Sequence, residues 1–102
     1  MTDVVLQKLP QLLSLCKRYG VRRFDLIGSA LRDDFNVAQS DIDFVVEFEQ
    51  LTTANAFDRY FGLLNDLEDL FARPIDLISY PAIRNPHFKA AIDKSRVQLY
   101  AA

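Results

Sequence analysis

One cysteine, Cys16, stands in the whole chain, so neither an internal disulfide nor a cysteine-built zinc site can form. Basic residues are never gathered into a block. Twelve Lys and Arg face 14 Asp and Glu for a net charge of −2, which speaks against a broad electrostatic grip on a nucleic-acid backbone and leaves small phosphate ligands open. No stretch approaches the roughly 18 apolar residues of a membrane span. The opening MTDVVLQKLPQLLSL carries an acid and a proline where a secretory leader would have a basic start and an unbroken apolar centre. Internal repeats, low-complexity tracts and linkers are also missing. The expectation is a soluble chain, neither nucleic-acid-binding nor membrane-bound, whose lone thiol suits a reducing cytoplasm. What is present is apolar: 50% of 102 residues are hydrophobic, enough for one core and not for two, so a single domain over 1–102 is expected.

Val5, Leu6, Leu9, Leu12, Leu13, Cys16 and Tyr19 recur at three- and four-residue spacing before Gly20, which predicts a helix over 3–19, kinked or delayed by Pro10. Residues 21–27 read as a strand, and Gly28-Ser29 as the turn into a short helix over 29–33. The loop 34–40 is polar. Residues 41–48 alternate strictly, with Ile42, Phe44, Val46 and Phe48 on one face and Asp41, Asp43, Val45 and Glu47 on the other, a strand with one apolar face. A second long helix, N-capped by Thr52 or Thr53, follows from Ala54 to Phe71. Ile75 to Ser79 reads as a third strand, and Asn85-Pro86 opens a last helix reaching about Lys94. The fold class is α/β (α+β), a small mixed sheet flanked by helices.

Residues two apart on a strand project to the same side, so Asp41 and Asp43 point together while Ile42 and Phe44 anchor the backbone. Two like charges side by side repel unless a cation sits with them. Mg²⁺ suits that need, because it binds through one or two carboxylates plus substrate phosphates. Asp76, on another strand, completes a cluster if that strand runs alongside. Two ions about 3.5–4 Å apart could then clamp the attacking and leaving oxygens of a phosphoryl-type displacement. The Gly-Ser turn supplies the other half: glycine lets the backbone approach a ligand, and free N–H groups at a helix start attract phosphate.

Gly28, Ser29, Asp41, Asp43 and Asp76, in this order and setting, resemble the minimal nucleotidyltransferases (MNT) of the DNA polymerase β-like superfamily. Arg32 matches a basic residue common just after the Gly-Ser, and the tail Val97-Gln98-Leu99-Tyr100 is similar to that of many MNT domains. Asp33 departs from the family, standing where a glycine often follows the arginine, and the loop Ala30 to Ser40 is one residue longer than the commonest spacing. The resemblance implies the polymerase β-like fold and transfer of AMP from ATP. Asp41, Asp43 and Asp76 would be the catalytic residues and the ligands of two Mg²⁺ ions, with Asp76 helping to activate the acceptor hydroxyl. Gly28, Ser29 and Arg32 would hold the nucleotide. It also implies a partner, since MNT proteins are commonly encoded beside a HEPN-domain RNase toxin. They act as its antitoxin by attaching AMP to one of its tyrosines.

Two other readings stay open: a non-catalytic module that neutralises its partner by binding alone, and a nucleotidyltransferase acting on a small molecule. Of the remaining residues, Asp25 is expected to be structural and Glu47 to lie at the exposed end of its strand. His87 is expected at the surface or in a cap, and Cys16 in the core. Phe57, Tyr60, Phe61 and Phe71 are more aromatics than one helix of a small core absorbs, so some are expected to face outward.

Overall fold

The computed structural model describes residues 3–28 and 41–102. The first helical stretch is two helices, α1 (Asp3–Gln7) and α2 (Leu9–Arg18), rather than one. Pro10 causes the break. It has no N–H for the carbonyl of Leu6 and its ring would crowd that carbonyl, so it is tolerated only in the first turn of a new helix. Gly20 closes α2 in the left-handed conformation, φ +67°, which glycine adopts without steric cost.

β1 (Val21–Ile27) runs antiparallel to β2 (Ile42–Phe48), and β2 runs parallel to β3 (Ile75–Ser79). A parallel pair needs a crossover, which α3 (Ala56–Phe71) provides. The tail is a fourth strand, β4 (Val97–Ala101), antiparallel to β1, where the sequence suggested only a resembling segment. The described sheet thus has the order β3-β2-β1-β4. The short helix expected at 29–33 and the loop after it lie outside the described residues.

One face of the sheet packs on α2 and α3. Phe24, Leu26, Ile42, Phe44 and Leu77 meet Leu12 and Cys16 of α2 and Leu63, Leu67 and Phe71 of α3. Phe44 lies between Phe24 and Phe71, ring centroids 4.8 and 5.8 Å away, and each such pair adds about 0.5–1.5 kcal/mol beyond its buried area. The other face is not the purely polar one that alternation suggested. Val45 is buried there with Ile27 under Ile92 of α4 (Pro86–Ser95), a second small core. β2 is therefore covered on both sides at its middle.

Asn85 caps α4 as expected, its side chain accepting the N–H groups of His87 and Phe88 at 2.8 and 3.1 Å. α3 starts two residues later than expected, after Asn55. Thr52 instead closes the preceding turn, where its amide donates to the Asn55 side chain at 2.9 Å. Arg59 of α3 ties the end of α2 to the end of β2 by donating to the carbonyls of Tyr19, Gly20 and Glu49.

Candidate active site

The parallel register of β2 and β3 sets Asp43 opposite Asp76, and the antiparallel register of β1 and β2 sets Ile27 opposite Asp43. All three strand positions are on the sheet face that α4 covers in part. Gly28 follows Ile27 with φ +75°, and a Cβ built on it would lie 2.3 Å from Oδ2 of Asp43. A side chain at this position would push the carboxylate aside, and the positive φ itself favours glycine. Asp41 is exposed just before β2 begins.

Electrostatics bears out the crowding. The Asp43 carboxyl titrates above the usual carboxylate range, first because of burial, then because of the charges of Asp76 and Asp41 and a hydrogen bond with Asp76. Tyr60 of α3 donates to the carbonyl of Leu77, the residue after Asp76. Its hydroxyl is also held above its ordinary value, by burial and then by Asp76. Among the described residues no ion pair engages Asp41, Asp43 or Asp76. A divalent cation fits this donor set, since two adjacent carboxylates and substrate phosphates are its usual oxygen ligands. Among the described residues, however, no three acidic, histidine or cysteine side chains already converge as a ready metal cluster; the close pair is Asp43 and Asp76.

The pair opens into a hollow of about 300 Å³. Ile27, Gly28, Asp43 and Asp76 form one end. Ile78 and one face of α4, with Phe88, Ala91, Ile92 and Ser95, form the wall. Sequence reading passed over this wall, although its spacing of three, four and seven residues was visible as a helix face. Nothing in that spacing told which strand α4 would lie against.

Other candidates fall as follows. Ser29, Arg32 and Asp33 lie outside the described residues. Asp25 is structural: at 1% exposure it is paired with Arg23 at 3.0 Å and Arg96 at 3.4 Å. Glu47 is half-buried rather than at an exposed end, because Arg96 reaches it at 3.8 Å. His87 is exposed in the capping turn and Cys16 is buried, both as expected. Phe71 belongs to the core, whereas Phe57 and Phe61 are exposed and packed against each other as tilted rings, 4.6 Å between centroids. Among the described residues no helix is long and apolar enough to cross a membrane.

Comparison with known proteins matches residues 10–99 to the nucleotidyltransferase domain model. Two candidate protein adenylyltransferases of Methanocaldococcus jannaschii are similar to this chain. One is 32% identical over 78% of each chain, the other 30% identical over 91% of this chain and 89% of its own. A solved candidate minimal nucleotidyltransferase superposes with TM-score 0.77 at 25% identity, covering 93% of this chain and 92% of its own. A chain of the tri-AMPylated Shewanella oneidensis HEPN toxin in complex with MNT antitoxin gives TM-score 0.64, covering 95% of this chain and 72% of its own; at 16% identity it speaks for the fold. The match over most of its length and the shared fold place this chain in the nucleotidyltransferase domain family, and it is itself a nucleotidyltransferase with the fold of the minimal members.

Proposed function

We propose that this chain transfers AMP from ATP to a hydroxyl of a partner protein, a tyrosine of a HEPN-type RNase toxin, and so acts as that toxin's antitoxin. The observation that carries the reading is the pairing of Asp43 with Asp76 beside Gly28, in a family whose chemistry is nucleotidyl transfer. The named activity of the two M. jannaschii relatives, protein adenylylation, supports a protein acceptor. The fold shared with a complex of AMPylated HEPN toxin and MNT antitoxin supports the kind of partner.

In this reading Asp43 and Asp76 hold Mg²⁺, one or two ions, with Asp41 as the further carboxylate. When bound, the metal supplies charge neutralisation at the transferred phosphoryl group. Gly28, Ser29 and Arg32 receive the β and γ phosphates, the glycine by leaving its backbone open to them. The acceptor oxygen attacks the α-phosphorus, and the bond from that phosphorus to the oxygen bridging to the β-phosphate breaks. Pyrophosphate departs with the electron pair, and the acceptor proton passes towards Asp76. Positioning and charge stabilisation do most of the work in such a reaction.

A binding-only reading draws on Phe57 and Phe61, an exposed aromatic pair that could bury against a partner without chemistry. One experiment separates the two. The partner is co-produced with this chain or with its Asp41→Ala/Asp43→Ala variant, and its intact mass is measured. Whole AMP increments with the unmutated chain alone support transfer. An unmodified partner that is still silenced supports binding alone.

A further inference from the structure

The acid pair shares its hollow with a surface of opposite character. Phe88, Ala91, Ile92 and Ser95 recur on one face of α4, and with Ile78 they make an apolar wall reaching the floor formed by Asp43 and Asp76. The wall is firmly seated. Ile92, 3% exposed, locks α4 onto Ile27 and Val45, and the Asn85 side chain fixes the backbone N–H of Phe88. Phe88 itself is left 48% exposed. Its ring and Ile78 are also shared with an adjoining hollow of about 360 Å³ that Ile83 helps to line. A large aromatic on a seated helix, yet half in water in the same hollow as a pair of carboxylates, is poorly explained by core packing.

We propose that this face of α4 holds the nucleoside part of the nucleotide, with the base against Phe88. The proposal rests on the preceding reading and adds where the nucleotide lies. An acidic floor and an apolar wall in one hollow of about 300 Å³ fit a ligand with phosphate at one end and a flat ring at the other. The Ser95 hydroxyl donates to the Ala91 carbonyl at 2.9 Å, so its proton is not free to read a base edge. Binding by this wall therefore rests on stacking, which tolerates any base.

The test measures binding rather than turnover, with Mg²⁺ present, of ATP, GTP and inorganic tripolyphosphate to the full chain and to Phe88→Ala and Phe88→Leu. Melting temperatures confirm that each variant is folded. The expected result is an affinity for ATP about tenfold or more weaker in Phe88→Ala, a similar factor for GTP, and unchanged affinity for tripolyphosphate. Phe88→Leu should fall between. Equal loss for ATP and tripolyphosphate would overturn the proposal, because the ring would then act on the phosphate or metal end. Unchanged nucleotide affinity with weakened partner modification would also overturn it, assigning the wall to the acceptor. If the unmutated chain binds none of the three ligands, the nucleotidyl-transfer reading falls first and this proposal with it. If it binds ATP and Phe88→Ala binds ATP equally, only this proposal falls.

Discussion

Gly28 and Asp43 are in contact across the β1–β2 boundary, so close that a methyl group on the glycine would lie 2.3 Å from the carboxylate oxygen. Gly28→Ala must therefore displace Asp43 or the end of β1, and its φ of +75° adds about 1–2 kcal/mol of left-handed strain. We expect nucleotidyl transfer to fall by at least 100-fold, against a loss of stability of only about 1–2 kcal/mol. Transfer rates and urea denaturation of the same preparation check both halves.

Asp25 ties the α4 wall to the sheet. Its carboxylate, almost fully buried in β1, meets Arg23 and Arg96, and Arg96 follows α4 directly and stacks over Tyr80 at 4.6 Å. Asp25→Ala leaves these guanidinium groups without their shared partner and should cost about 3 kcal/mol. Urea unfolding of Asp25→Ala, Arg96→Ala and the double variant should show a coupling energy of about 1 kcal/mol or more. Additive losses would mean that the pair does not act together.

Ala72 ends α3 in the left-handed conformation with φ 53° and ψ 42°, a position that glycine commonly fills. Ala72→Gly should stabilise the fold by about 0.5–1 kcal/mol, the relief of strain exceeding the added entropy of the unfolded chain. A rise of several degrees in melting temperature is the expected readout.

Burial pushes the Cys16 thiol from an ordinary value of 9.0 up to about 12. The folded chain thus keeps a proton that the unfolded chain releases. The associated stability is complete below about pH 9 and is lost as pH rises towards 12. The urea midpoint should fall more between about pH 8 and pH 10 for the natural chain than for Cys16→Ala, in which this group is gone. In the folded protein at about pH 8 the thiol should react with alkylating reagents far more slowly than in urea.

Much of this architecture was legible in periodicity. β1, β3 and the start of α4 are where local signals place them, because alternation, flanking proline and an Asn-Pro cap are all short-range features. The pairing of Asp43 with Asp76 was legible only conditionally, since register is a tertiary fact that neither strand contains alone. β4 escaped because its few residues gain strand character from β1 beside them. Val45 and Phe88 were misplaced or passed over for one reason: nothing local says that α4 lies across the acidic face of the sheet. Tyr60 is, in the sequence, one of four aromatics on one helix, and only the crossover geometry brings it to the carbonyl beside Asp76.

The most direct test of the account is to incubate the chain, its partner and Mg²⁺ with ATP labelled at the α- or at the γ-phosphate, using the natural sequence and Asp43→Asn. The account predicts label on the partner from α-labelled ATP only, and none with Asp43→Asn. Label from the γ-phosphate, or equal labelling by Asp43→Asn, would contradict it.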